Sequence, residues 1–212
     1  VGNISSLRIQ QKTMPKELME KIVNELSEAG VKGVIFTGGG EPTLYPQLIE
    51  VMRKCKEGGM DVSLNTNGIR LKGQLLEELI EIEPTYIRVS LNSGSSKLQR
   101  LITGTNDFEK VLNNIKVLAI RKLKRKSPID ISIGYVVNIV NLHDLINLAY
   151  RLRGIEVEIE KNYNLKEGFY SLQIRPVGNY ESSKHYDYER IEMIVSYLRS
   201  KFDDSYAKEF LE

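Results

Sequence analysis

The strongest constraint on the fold of this chain is a regular alternation of short, β-rich apolar runs with longer amphipathic helical patterns. The apolar runs are rich in Val, Ile, Tyr and Phe or alternate in polarity, and they predict strands at residues 33–36, 61–65, 86–91, 129–137 and 170–174. Apolar periodicity and terminal Pro, Gly and Asn signals predict helices at residues 15–29, 46–56, 73–82, 107–120, 141–152 and 188–202. This order is typical of a parallel sheet or barrel with helices on its outside.

The predicted fold class is α/β, in the form of a partial (β/α)6 TIM-like parallel barrel that makes a single domain of residues 1–212. Polar, irregular residues lead straight into the first helix, so the first strand of a strand–helix repeat is missing from its expected place. Two segments interrupt the alternation. The basic run 121–126 is typical of a solvated helix end. Residues 155–168 predict an extra hairpin or a mobile excursion beside the active face.

Composition excludes several functional classes. The chain has 30 Lys and Arg against 28 Asp and Glu, a formal charge of +2, so no global positive field favours nucleic acid as a partner. No apolar run approaches the roughly 18 residues that a membrane-spanning helix needs, and the N-terminus lacks the pattern of a secretory signal. We therefore expect a cytoplasmic protein without a membrane partner.

Cysteine and histidine offer little catalytic chemistry. The single cysteine, Cys55, lies at helical spacing from Leu48 and Met52, which predicts a buried apolar position. One cysteine excludes a disulfide framework and a cysteine-rich metal site built from this chain alone. His143 and His185 fall in segments that predict surface positions, and no hydrolase motif is present.

The glycine-rich loop at residues 38–42 carries the strongest chemical signal. A predicted strand runs there into three consecutive glycines, an acid and a proline, followed by a helix. Parallel barrels bind their ligands at this end of their strands. Glycines permit positive φ and a close approach of the backbone to a ligand. The carboxylate of Glu41 repels phosphate and suits an ammonium group, so the loop predicts a ligand that carries an amine.

Three motifs in order resemble the radical S-adenosylmethionine (radical SAM) superfamily. Residues 39–42 read GGEP and match a motif of that family. Residues 65–68 read NTNG at the end of the next predicted strand, similar to the family's TNG element, and residues 89–92 read VSLN at the end of the following strand, similar to its VSLD or VSLN element. The resemblance covers most of the chain, which is therefore identified as a core domain of this superfamily.

The resemblance and the strand-end positions together select the candidate site residues. Those expected to bind the cofactor are Gly39, Gly40, Glu41 and Pro42 around the methionine amino group, Ser90 and Asn92 at the ribose or carboxylate, and Asn138 at the ribose. Those expected to face the cavity of cofactor or substrate are Thr66, Asn67 and Arg175, whose guanidinium fork suits a carboxylate. The alternatives are strand-end caps or Asx turns for the polar residues, and a salt bridge at the barrel rim for Arg175.

The resemblance implies a radical SAM enzyme that cleaves S-adenosylmethionine to methionine and a 5′-deoxyadenosyl radical, which takes hydrogen from a substrate that the sequence does not identify. It also implies a 4Fe-4S cluster and an external one-electron donor such as a ferredoxin or flavodoxin. Family members hold the cluster with a C-x3-C-x2-C loop after the first strand, and this chain has no such motif and no predicted metal ligand. We expect the first strand and the cysteine loop to be absent together from this chain; the alternative is a relative without a cluster.

Two other functions remain as hypotheses. The first is a non-catalytic barrel that binds a nucleoside or an anionic ligand through residues 38–40 and Arg175. The second, less favoured, is an RNA-associated module that contacts phosphates through the basic run 121–126. No catalytic residue is predicted.

Overall fold

The computed structural model describes residues 13–165, 170–176 and 188–201. It is built on one five-stranded parallel sheet in the order β1-β2-β3-β4-β5. The strands are β1 Gly33–Phe36, β2 Asp61–Thr66, β3 Tyr86–Ser90, β4 Asp130–Val137 and β5 Ser171–Pro176. The helices are α1 Lys16–Glu28, α2 Leu48–Glu57, α3 Gly73–Ile82, α4 Ser96–Thr103, α5 Phe108–Arg125, α6 Leu145–Tyr163 and α7 Tyr188–Lys201, with 3-10 turns at Pro42–Leu44 and Leu142–Asp144.

Successive residues of a strand point to opposite sides, so the sheet has two faces. These two faces differ in chemistry. One face carries fully buried side chains such as Leu64 and Ile87, and these pack with the helices into one hydrophobic core. The opposite face, here called the inner face, carries Asn65, Arg88 and Ser132, which occupy neighbouring register positions on β2, β3 and β4. The polar residues of the strands are therefore concentrated on the inner face.

The α/β fold class and the five predicted strands are confirmed, and the described strands form an open parallel sheet. Cys55 is 0% exposed and belongs to the hydrophobic core, as its helical spacing predicted. Helix α4 was not predicted. It has only eight residues, and Leu98 is its one buried side chain, so its sequence carries little periodic signal. The assignment of residues 1–212 to one domain stays a prediction.

The prediction of a hairpin or mobile excursion at residues 155–168 was wrong for residues 155–163, which continue helix α6. Ile155 and Ile159 are buried and extend the stripe formed by Leu148 and Leu152, because residues four apart share one helix face. Helix α6 ends at Tyr163, and its C-cap is Asn164, whose φ of 54° lies in the left-handed region. Residues 166–168 lie outside the described part of the chain.

The basic run 121–126 forms the last turn of α5 and its C-cap rather than an interruption of the fold. Arg121 and Arg125 each form an ion pair with Glu77 of α3, with N–O distances of 2.9 Å. Two of the six residues in the run are thereby partly neutralised, which weakens the case for a phosphate-contacting patch. Within the described residues, no helix combines the length and the apolar character needed to span a bilayer.

Candidate functional site

The candidate site lies at the carboxyl ends of strands β1 to β4. Residues 37–45 follow β1, 67–72 follow β2, 91–95 follow β3 and 138–144 follow β4. Because the strands are parallel and adjacent, these four loops lie along one edge of the sheet, where parallel α/β proteins bind ligands.

Glu41 joins the glycine-rich loop to the loop after β2 through its carboxylate. Its Oε1 accepts hydrogen bonds from Thr43 N at 3.1 Å, Thr43 Oγ1 at 2.6 Å and Thr66 Oγ1 at 2.6 Å. Its Oε2 accepts one from Asn67 N at 2.7 Å. Since a carboxylate oxygen has about two acceptor positions, Oε2 keeps one position for a further donor. Most of the acceptor capacity of Glu41 therefore serves the protein itself.

Gly39 and Gly40 present an open backbone beside this junction. Both residues are exposed, and a Cβ built on either would meet no atom within 4 Å. Among the described residues, neither forms a hydrogen bond through its backbone groups. Their carbonyl groups are therefore free to accept N–H donors from a ligand. The positive φ that glycine permits is not used at residues 38–40, so open access rather than an unusual backbone conformation accounts for these glycines.

The loop after β2 is held rigidly from the helix side. Gly68 has a φ of +77°, and an added Cβ would lie 2.8 Å from Cγ1 of Val89, so glycine is required there. Asn114 Nδ2 of α5 donates to the carbonyl oxygens of Gly68 at 2.8 Å and Ile69 at 3.1 Å. Asn67 Oδ1 accepts from Ile69 N at 3.0 Å in an Asx turn, which leaves the Nδ2 of Asn67 for other partners.

Ser90 and Asn92 differ in their exposure and in their hydrogen bonds to the protein. Ser90 is exposed at the end of β3, and its hydroxyl forms no hydrogen bond with the described residues. Asn92 is partly buried, and its Oδ1 accepts from Val136 N of β4 at 2.7 Å. The side-chain oxygen of Asn92 is thus structural, while its Nδ2 remains a donor without a partner among the described residues.

Asn138 and Asn141 organise the loop after β4. Asn138 Oδ1 accepts from Val140 N at 2.8 Å and Asn141 N at 3.2 Å, which forms an Asx turn. Asn141 is 0% exposed. Its Nδ2 donates to the carbonyl oxygens of Asn92 at 3.0 Å and Val136 at 2.9 Å, and its Oδ1 accepts from Asn138 N at 2.7 Å. The Asn signal that predicted a helix start at residue 141 is not a side-chain cap, since Asn141 stands at the N-cap position of the 3-10 turn but its side chain makes no capping bond.

Asp144 is a structural residue that the sequence did not reveal. Its side chain is almost completely buried, and its Oδ2 accepts from Gly94 N at 2.7 Å and Ser95 Oγ at 3.1 Å. Its Oδ1 accepts from Asn147 Nδ2 at 2.6 Å. This carboxylate ties the loop after β3 to the start of α6. Only the turn-forming composition of residues 92–95 signals the contact in the sequence.

Arg175 lies on the inner face of β5, exposed, and its Nη2 donates to Gln173 Oε1 at 3.2 Å. The rim salt bridge considered from the sequence is not formed with any described residue. Arg88 of β3 lies on the same face. The sequence did not reveal Arg88 as a site residue, because a single arginine in a strand forms no motif. Burial lowers the pKa of the Arg88 guanidinium, and the charge of Arg175 lowers it further.

The described residues do not provide ligands for a metal cluster. They contain no group of three His, Cys, Asp or Glu side chains that could hold a metal ion. Cys55 is enclosed in the core, and burial raises the pKa of its thiol, which opposes the thiolate that iron ligation needs. His143 is exposed, and His185 lies outside the described residues.

The sequence of this chain matches a known protein family. The family model described as the radical SAM superfamily matches residues 3–149. A relative from Pyrococcus abyssi (strain GE5 / Orsay), a probable GTP 3′,8-cyclase, is 31% identical over 171 residues, which cover 77% of this chain and 55% of the relative. The chain thus spans about half the length of the curated relatives that it matches.

Solved structures share the fold at lower identity. TYW1 with a bound lysine-pyruvate adduct superposes with a TM-score of 0.62 and 20% identity, covering 92% of this chain and 67% of TYW1. Streptococcus suis SuiB bound to S-adenosylmethionine superposes with a TM-score of 0.59 and 18% identity, covering 90% of this chain and 40% of SuiB. These likenesses establish the fold of the chain.

Proposed function

This chain belongs to the radical SAM superfamily, and from that membership we propose that the complete protein is a radical SAM enzyme. When bound, S-adenosylmethionine would supply a 5′-deoxyadenosyl radical on one-electron reduction, and that radical would take a hydrogen atom from the substrate. The protein's own tasks are to bind the cofactor, orient it and exclude water. An external one-electron donor and a substrate complete the proposed reaction.

The observation that carries the proposal is the open glycine backbone beside a fixed carboxylate. We propose that the free carbonyl groups of Gly39 and Gly40 and the remaining acceptor position on Oε2 of Glu41 together form a cradle for an ammonium group. Its acceptors are oriented before a ligand arrives, since Thr43, Thr66 and Asn67 hold the Glu41 carboxylate in place. A preorganised acceptor set reduces the cost of ordering on binding. We assign this cradle to the amino group of the methionine moiety, with Pro42 fixing the turn that follows.

Three further side chains would orient the rest of the cofactor. The Ser90 hydroxyl has neither donor nor acceptor engaged by the described residues, so it can bind a ribose hydroxyl or the carboxylate. Asn92 and Asn138 use their Oδ1 atoms in the protein and present their Nδ2 groups as donors. We therefore propose the amide nitrogens, and not the oxygens, of these two residues as the atoms that contact the ribose or carboxylate.

The ligands of the implied 4Fe-4S cluster would come from outside the described residues, because these offer no suitable group. No role in holding the cluster is assigned to this chain. The Pyrococcus relative is a probable GTP 3′,8-cyclase. On this basis we propose phosphorylated nucleosides as candidate substrates of the complete protein.

The test compares Ser90→Ala with Ser96→Ala in the complete protein purified without oxygen. Ser96 is an exposed serine at the start of α4, outside the site. Loss of one hydrogen bond should weaken S-adenosylmethionine binding about five- to tenfold in Ser90→Ala, measured by calorimetry. Ser96→Ala should bind like the parent protein. Equal affinities for Ser90→Ala and the parent would contradict the assignment of Ser90.

Iron and sulfide analysis of the same protein tests the reaction class. Stoichiometric iron and sulfide with bound S-adenosylmethionine support the radical enzyme. A protein that takes up neither iron nor sulfide on reconstitution would leave a barrel that binds without radical chemistry.

A further inference from the structure

Three buried polar atoms without a hydrogen-bond partner lie in one row across the inner face. They are Oδ1 of Asn65, Nε of Arg88 and Oγ of Ser132. The register pairs Asn65 with Arg88 and Arg88 with Ser132, so the three residues occupy adjacent positions on β2, β3 and β4. Ser132 is only 1% exposed. Buried polar atoms are nearly always hydrogen-bonded in folded proteins, so this row marks a polar region that the described residues leave unsatisfied.

Arg88 is positioned in this region by a glycine and an aromatic ring. A Cβ added to Gly134 would lie 3.2 Å from Cδ and 3.5 Å from Cγ of Arg88, so the arginine stem passes directly over the bare backbone of β4. The Arg88 guanidinium carbon lies 5.1 Å from the centre of the Tyr86 ring, a distance at which a cation is attracted to the ring face. The stem and the charged group are thus both restrained.

Arg175 brings a second cation to the same face. In the register, Gly134 pairs with Gln173 and Val136 pairs with Arg175, so Arg175 lies one same-side step beyond Gln173 toward the carboxyl edge. Its Nη2 donates to Oε1 of Gln173, the residue that pairs with Gly134. Within the described residues, neither Arg88 nor Arg175 takes part in an ion pair.

The electrostatic balance of this region is positive. The pKa of Arg88 is lowered by burial first and by the charge of Arg175 second, while Tyr86 and Asp130 raise it by smaller amounts. Asp130 pairs with Tyr86 in the register, one same-side step from Arg88 toward the amino ends of the strands. Its carboxylate therefore raises the pKa of Arg88 less than the charge of Arg175 lowers it.

We infer that Arg88 and Arg175 bind a phosphoryl group of the substrate on the inner face of the sheet. Two guanidinium groups with no paired carboxylate require about two negative charges, which a phosphoryl group carries and a carboxylate does not. The planar fork of arginine matches phosphate oxygens with paired hydrogen bonds. This assignment rests on the proposed function, since it gives the substrate the inner-face positions of Arg88 and Arg175, while Ser90 at the end of β3 stays with the cofactor.

The arrangement separates the two kinds of ligand charge along the sheet. Glu41 and its partners hold negative charge at the ends of β1 and β2, where an ammonium group is favoured. Arg88 and Arg175 hold positive charge on β3 and β5, where a phosphoryl group is favoured. Opposite local charges disfavour the exchange of cofactor and substrate between the two regions.

The test uses inorganic phosphate and pyrophosphate as probes of the complete protein, titrated at constant ionic strength and followed by phosphorus NMR. Arg88→Gln and Arg175→Gln should each weaken probe binding about tenfold, as expected for the loss of a charge-assisted contact. Arg100→Gln, at an exposed arginine of α4, is the matched control and should bind like the parent. Equal binding by the parent and both site variants would overturn the inference.

Gly134→Ala tests the geometry without changing any charge. The added methyl group must displace Cδ of Arg88 from a distance of 3.2 Å, so probe binding should weaken severalfold while urea unfolding shows a folded protein. Acetate provides the test of ligand class. Displacement of phosphate by an equal concentration of acetate would overturn the phosphoryl assignment in favour of a carboxylate.

Titration of the same variants with S-adenosylmethionine separates this inference from the proposed function. Loss of phosphate binding with unchanged cofactor binding supports the inference. An equal loss of both in Arg175→Gln would assign Arg175 to the cofactor and overturn it. A parent protein that binds phosphate through both arginines but no S-adenosylmethionine would contradict the proposed function and leave the anion site standing.

Discussion

Glu41→Gln should destabilise the sheet edge by about 2 kcal/mol, because it removes the charge from a junction that four hydrogen bonds hold together. Three of these bonds converge on Oε1, which a glutamine carbonyl oxygen can replace as a weaker, neutral acceptor. The fourth runs from Asn67 N to Oε2 at 2.7 Å. In the variant, the glutamine NH2 group takes the place of Oε2. Two N–H donors then face each other, so the bond from Asn67 N is lost.

The free energy of unfolding in urea gives the overall effect, and hydrogen exchange at the Thr43 and Asn67 amides gives the local one. Both N–H groups donate to the Glu41 carboxylate, so both should exchange faster in the variant. Glu160→Gln, on the exposed face of α6, is the control and should change stability by less than about 0.5 kcal/mol. A loss below about 0.5 kcal/mol in Glu41→Gln, or unchanged exchange at Asn67, would refute the reasoning.

Three further predictions concern packing and burial. Gly94→Ala should lower the free energy of unfolding by about 3 kcal/mol, because the new Cβ would clash with the carbonyl oxygen of Asp144; urea unfolding with less than about 1 kcal/mol of loss would contradict this packing. Gly154→Ala should instead raise it by about 0.5–1 kcal/mol in the same assay, since an added Cβ meets no atom within 4 Å in helix α6; a destabilised variant would disprove the assigned helix. Cys55 is 0% exposed, and burial raises the pKa of its thiol. Because alkylation requires the core to open, this thiol should react at least about 100-fold more slowly in the native protein than in urea. The rate is read by mass spectrometry on the peptide that contains Cys55, and equal rates in both states would show that the side chain is accessible.

Local patterns in the sequence were sufficient for the five strands, for most of the helices and for the family. Strand alternation, helical periodicity and terminal Gly and Pro residues are properties of neighbouring residues, so they can be recognised without knowledge of distant contacts. The order of the GGEP, TNG and VSLN motifs likewise depends only on the chain. The error at residues 155–163 arose where Ile155, Val157 and Ile159 alternate with glutamates. This alternation is typical of a strand, so the continuing helical stripe is evident only once α6 is seen packed in the core.

The tertiary structure decided which polar side chains form hydrogen bonds within the protein and which remain available to ligands. The partner of Glu41 at Thr66 is 25 residues away, and that of Asn92 at Val136 is 44 residues away. The alignment of Arg88 with Gly134 and Arg175 depends on the register of three strands. Register in a parallel sheet follows from how the connecting helices pack on the common core, and no single segment contains that information. The sequence therefore determined the family and the edge of the sheet that carries the site, while only the packed sheet determined the atoms that are free to bind.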